Sequence, residues 1–447
     1  MSALDASPFS LDFEPEEEPF VPAVPETIKE AGLSDAMIEQ LILKTLYFEG
    51  EMVGREIARS LGLKFSVIEE VIEFCKRSRM VEAKRSQGFG NVSAVFALSE
   101  TGRLRAREYL DTNQYAGRAP VPVGQYMAGA RAQKSKEGWL TWEALEEAFR
   151  HAVVSDLILT KMGPAVNSGK SFLIYGQPGN GKTYLAEALN NLAATDIYVP
   201  FVLEVQGQII QMFDELYHRR HVEEGEKESS SMALEPTYDA RWIRCRRPFI
   251  VTGGELTLDM LDLCYNPSAK LYDAPFQLKA NNGIYLIDDF GRQKVTPAEL
   301  LNRWIIPMDR HVDYLTFHTG GKVAVPFETF LIFSTNLHPD TLGDEAFLRR
   351  IQYKMFLKNP SEDEFTEIFA RFCAGESLEC PPVLVDKFMS RHYRKTGKPM
   401  RRCHPRDVIT HAIDLIRFER LPYELTDEIL DRAFESCFLE KSEIDAK

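Results

Sequence analysis

The stretch SFLIYGQPGNGKTYLAEAL, Ser171 to Leu189, constrains this chain more than any other. Its apolar run from Phe172 to Tyr175 predicts a buried strand that breaks at Gly176, and a helical pattern starts near Lys182. Between them Gly176, Gly179, Gly181, Lys182 and Thr183 keep the spacing of a phosphate-binding loop. Glycines let backbone N–H groups turn inward around an anion, and the start of the following helix adds the positive end of its dipole. Gly176, Pro178, Gly179, Asn180, Gly181, Lys182, Thr183 and Tyr184 are therefore expected to bind a nucleoside triphosphate. Lys182 would reach the β- and γ-phosphates, and the Thr183 hydroxyl would ligate Mg²⁺. An ordinary glycine-rich turn has no need of the strand, the helix and the full spacing together.

At 447 residues the chain has room for about two or three domains. A net charge of −14 argues against a protein that coats nucleic acid, because phosphate attraction dominates such binding. The seven cysteines form no CxxC pair, which fits free thiols in a reducing compartment better than a disulfide framework or a zinc site. No run approaches a membrane-spanning length and the N-terminus is acidic, unlike a signal peptide, so a cytoplasmic protein is expected.

Residues 1–30 mix prolines with acids and predict a disordered tail, with Phe9, Phe13 and Phe20 as possible docking points on a partner. Residues 31–112 read as a compact unit. Ser34 is placed to cap a first helix, VGREIARSLGL gives a second ending at Gly62, and FSVIEEVIEFCKRSRMV gives a third. A hairpin follows, with its tip at Gly88, Phe89, Gly90 and Asn91. Glu69, Glu70 and Glu73 on the third helix would repel phosphates, so a protein-docking or regulatory role is favoured over DNA reading. Residues 113–138, rich in Gly, Pro and Ala, predict a linker, and residues 222–236 predict an exposed insertion.

Two further strands carry chemistry. Ile284 to Ile287 ends in Asp288 and Asp289, which are placed to hold Mg²⁺ and to orient the attacking water. A strand-end turn would explain the acids alone, but not with a phosphate loop upstream. Phe330 to Phe333 ends in Ser334, Thr335 and Asn336, whose amide could hold the lytic water or simply cap a turn. Then come the pair Arg349 and Arg350, which in isolation would be a solvated surface pair, and Arg406 at the start of a C-terminal helix.

The three-helix unit with its hairpin resembles a winged helix-turn-helix domain. In order, the remaining motifs resemble those of the AAA+ ATPases over roughly residues 140–440. The phosphate loop is similar to Walker A, Asp288–Asp289 to Walker B, Asn336 to sensor 1, Arg349 and Arg350 to an arginine finger, and Arg406 to sensor 2. DEAFLRRIQ is similar to a string at the subunit interface of ring-forming unfoldases. FQLKANNGIYLIDD resembles the helix-2-insert clade, which includes the MoxR-like chaperones, and RRPFIVTGGELTLDMLDL would be that insert or a substrate-facing loop.

The resemblance implies an α/β fold: a P-loop AAA+ core over 139–358, with a parallel sheet flanked by helices, and a helical lid over 359–447. It also implies ATP and Mg²⁺ as cofactors, a homo-oligomeric ring of six subunits, and an arginine finger acting in trans. Walker B carries Asp289 where the family usually has glutamate, so slow hydrolysis or help from Glu204 would follow. No GAFTGA-like string and no pore signature are present. Three functions fit: a remodelling ATPase acting on a protein partner, a DNA-directed ATPase such as a helicase loader, and a slowly hydrolysing nucleotide-switched scaffold.

Overall fold

A computed structural model describes residues 19–86, 90–135, 139–192, 195–221, 237–343 and 348–438. Its centre is a five-stranded sheet made of β1 (Phe172–Tyr175), β2 (Phe249–Thr252), β3 (Ile284–Ile287), β4 (Phe330–Thr335) and β5 (Tyr353–Phe356). The spatial order is β2-β3-β4-β1-β5, and every neighbouring pair is parallel. Helices cover both faces, which is why these strands read as continuous apolar runs rather than alternating ones. Phe172, Ile174, Leu286 and Ile332 pack into one cluster, while Leu173, Tyr285, Ile287, Leu331 and Phe333 pack into the other. The carboxyl ends of β1, β3 and β4 therefore bring the phosphate loop, the paired aspartates and Asn336 to one edge of the sheet. This is the α/β core that the sequence implies.

A helical unit follows the core. Its helices Glu362–Gly375, Pro382–Met389, His404–Glu419 and Asp427–Cys437 share one buried cluster around Phe365, Phe388, Ile409 and Leu430.

At the other end, helices Asp35–Glu49, Gly54–Leu61 and Phe65–Arg77 pack on a three-stranded sheet made of Met52–Val53, Ala94–Leu98 and Val81–Ser86. Ser34 caps the first helix and Gly62 closes the second in the left-handed conformation. A fourth helix, Glu100–Thr112, completes the unit. Of the expected hairpin tip, Gly88 and Phe89 lie outside the described residues, while Gly90 sits at φ 76° and Asn91 opens a short turn, Asn91–Ser93.

Two expectations change. Residues 113–135 are no linker: Val121–Pro122 joins a sheet, and Val123–Ala132 is a helix whose Tyr126 and Ala130 enter a shared core. The composition misleads because small residues here allow close packing rather than flexibility; Gly129 lies against the rings of Phe20 and Trp242. Second, the first part of RRPFIVTGGELTLDMLDL is neither an insert nor a substrate-facing loop, since Phe249–Thr252 is the edge strand β2.

A β-rich unit is built from Val121–Pro122, from strands between the phosphate-loop helix and β2, and from strands between β2 and β3. It holds a five-stranded sheet running Cys264–Asn266, Leu271–Asp273, Gln208–Gln211, Val202–Val205 and Val121–Pro122, and a separate antiparallel pair, Asp196–Pro200 with Trp242–Arg246. The hairpin Val312–Thr316 with Lys322–Pro326 packs into the same core. Of the acidic tail, Phe20 docks edge-on against Trp242 and Tyr198 of this unit. Phe9, Phe13 and the 222–236 stretch lie outside the described residues.

Candidate nucleotide site

The phosphate loop bends as its glycines allow. Gly179 and Gly181 sit at φ of 78° and 82°, a region costly for residues bearing a Cβ. At Gly179 a Cβ would also stand 2.6 Å from Cys403 Sγ, so the loop and the helical unit touch here only because the side chain is missing. Gly181 closes the loop as the residue before the helix Lys182–Ala188.

From that helix Lys182 turns back into the loop. Its Nζ donates to Gly176 O and Gln177 O, each at 3.1 Å, and to Asn336 Oδ1 at 2.6 Å. The side chain is buried. Burial accordingly pulls the Lys182 ammonium below its usual pKa, against the raising influence of Asp288 and Asp289. An anion at this position would relieve that desolvation, so the residue fits a phosphate partner.

Thr183 Oγ1 donates to Asp288 Oδ2 at 2.8 Å, pairing the hydroxyl and the carboxylate expected around Mg²⁺. Asp289 lies in the left-handed region at φ 49°, which aspartate tolerates better than most residues. Its Oδ1 accepts from Asn336 Nδ2 at 2.9 Å. A continuous chain thus runs Lys182–Asn336–Asp289, joining three segments far apart in sequence. Gln293 steadies the turn after the acids by donating to Asp288 O at 2.8 Å and accepting from Gly291 N at 2.8 Å.

These groups open into a cleft of about 800 Å³ between the core and the helical unit. Pro178, Gly179, Asn180, Gly181, Lys182, Thr183, Tyr184, Asp288, Asp289, Asn336 and Arg406 all line it. Gly176 sits just behind, with its carbonyl on Lys182. Arg406 faces the cleft while paired with its own neighbour Asp407 at 2.9 Å. Arg349 and Arg350 do not reach this cleft: Arg349 is exposed, and Arg350 pairs with Asp309 at 3.5 Å. Residues 344–347 beside them lie outside the described residues. Glu204 plays no part in the cleft, because it sits in the β-rich unit and accepts from Gly207 N at 2.6 Å.

Sequence reasoning missed half of the wall. Residues 151–154 and Ile158 precede the phosphate loop, while Ile368, Arg371, Phe372, Arg402 and Cys403 come from the helical unit. Arg402 was legible as the second member of an arginine pair near Arg406; HAVVS carried no motif at all.

A model of a domain of unknown function, DUF8689, matches residues 361–436, the same stretch that forms the helical unit. No curated protein sequence matches the chain. Among solved structures, NtrX from Brucella abortus overlaps 76% of this chain and 62% of its own, at 11% identity and a TM-score of 0.38. The RuvB Holliday junction branch migration motor of Thermotoga maritima overlaps 68% and 72%, at 15% identity and a TM-score of 0.33. Domain III of the replication initiation protein DnaA from Thermotoga maritima overlaps 65% and 96%, at 14% identity and a TM-score of 0.36. At scores this low the overlaps assign nothing to this chain.

Proposed function

We propose that this chain is an AAA+-type ATPase that hydrolyses ATP to remodel or assemble a protein partner. The convergence of Lys182, Thr183, Asp288, Asp289 and Asn336 on one cleft carries the reading. Lys182 and the loop amides bind the phosphates, and Thr183 with Asp288 holds Mg²⁺, which supplies charge neutralisation on the triphosphate. Asp289 accepts the proton of the attacking water, and Asn336 keeps its carboxylate in place. The left-handed backbone at Asp289 brings the short side chain to Asn336, which favours hydrolysis over a non-hydrolysing scaffold. Arg406 faces the cleft from the lid. Arg349 or Arg350 acts as a finger in the cleft of a neighbouring copy, within a ring.

The N-terminal unit, with the helix and hairpin order of a winged helix, serves as the recruitment module. On its third helix Glu73 is tied to Lys76 at 2.7 Å and to Asn91 at 2.6 Å, and Asn91 also reaches Glu69 at 3.4 Å. What remains outward on this helix is Ser66, Glu70, the exposed ring of Phe74 and, at its end, Arg77. An acid beside an aromatic suits a protein surface rather than a phosphate backbone.

Phosphate release by the purified full chain tests the proposal. Asp289→Asn should keep ATP affinity and lose at least about 100-fold in turnover, the usual worth of a general base. Mixing that variant with an Arg349→Ala/Arg350→Ala chain should restore turnover, because each supplies what the other lacks. Wild-type turnover in Asp289→Asn would contradict the assignment.

A further inference from the structure

Residues 151–154 form a wall of the cleft, and the carbonyls of residues 150–153 are held from outside. Arg371 Nη1 donates to Arg150 O at 2.9 Å and to Ala152 O at 3.5 Å. Tyr184 Oη donates to His151 O at 3.4 Å, and Arg402 Nη1 to Val153 O at 2.7 Å. Two of the three donors belong to the helical unit. Each is itself oriented there, Arg371 by Glu367 at 2.6 Å and Arg402 by Glu364 at 2.9 Å.

The seam between this unit and the phosphate loop is not fully satisfied. Cys403 N donates to Gly179 O at 2.9 Å, yet Asn180 Oδ1 and Arg402 Nε are buried without a partner among the described residues. Buried polar groups in such a state call for a cause, and a unit that shifts when the cleft fills would supply one. Ala152, Val154 and Ile158 from the core face the same cleft as Ile368 and Phe372 from the helical unit. Together they offer the flat apolar contact that a nucleobase needs and a phosphate does not.

We infer that Arg371 and Arg402 are positioning residues for the nucleobase: they clamp residues 150–153 to the lid, so the base end of the cleft is complete only with the lid docked. The inference rests on the ATP reading above and extends it. The phosphate loop needs no such clamp, so affinity for the base and affinity for the phosphates should separate. Calorimetry on the full chain with Mg²⁺ tests this, using ATP and inorganic tripolyphosphate as the two probes. Arg371→Gln should weaken ATP by about tenfold, the worth of a charge-assisted hydrogen bond, and leave tripolyphosphate affinity unchanged. Arg371→Lys, which keeps one donor and the charge, should recover part of the loss, and it carries the test if the glutamine variant does not fold. Equal weakening of both probes, or an unchanged ATP affinity, overturns the clamp. A wild-type chain that binds tripolyphosphate no more weakly than ATP also overturns it. Failure of the wild type to bind either probe would instead remove the ATP reading itself.

Discussion

Lys182 and His404 are tuned by burial more than by charge partners. Lys182 is kept from solvent by its own loop and by Asn336, a state that makes it receptive to an anion. His404, at the first turn of the helix His404–Glu419, shows the same physics in a titrating group. It is buried, its Nδ1 lies 2.9 Å from Tyr393 Oη, and the ring stacks on Tyr393. Burial lowers its pKa to about 4, helped by Arg401 and Lys398 and opposed by Asp407. The unfolded chain, with an ordinary imidazole, therefore takes up a proton before the folded one does. Stability from this group is whole above about pH 6.5 and is lost as pH falls toward 4. Thermal unfolding at steps between pH 7 and 4 should show the helical unit weakening across that window, and His404→Asn should flatten the decline. An unchanged slope in the variant would show that other groups govern it.

At the scale of elements, the phosphate loop, β3 and β4 were legible because each joins an apolar run to a polar end. Parallel strands buried on both faces leave that signature. The β-rich unit was not legible. Its strands are short, two to five residues, and the shortest, Val121–Pro122, lies far from the rest in sequence. A strand of two residues bearing a proline gives no period to detect. Gly124 and Gly129 in the next helix pointed toward a linker, whereas Gly129 is there to admit Phe20 and Trp242. The site divides in the same way. The residues proposed to act on phosphate and metal are particular types at fixed spacing, so they showed in the sequence. The wall from residues 151–154 acts through backbone carbonyls and small apolar side chains, which carry no such mark.

At the scale of the whole molecule, a buried ion pair sits where three parts of the chain meet. Arg241 and Asp239, both nearly inaccessible, bond at 2.8 Å, and Arg241 also donates to Ala31 O at 2.7 Å, Pro120 O at 3.2 Å and Gln125 Oε1 at 3.3 Å. The guanidinium thus joins the N-terminal unit, the 113–135 segment and the β-rich unit. Gly62 meets the backbone of Ala240 at the same junction. Arg241→Ala would leave Asp239 buried and unpaired, which costs about 3–5 kcal/mol. The variant should unfold at lower urea concentration, with faster hydrogen exchange around Ala31 and Pro120; a wild-type midpoint would show that the junction is held elsewhere. Through this junction a partner engaged at Phe74 would be linked to the engine. That link has meaning only if the cleft takes a nucleotide, and calorimetric titration of ATP with Mg²⁺ tests this most directly. Saturable binding to the wild-type chain should be abolished in a folded Lys182→Ala variant; equal binding by both would contradict the nucleotide assignment.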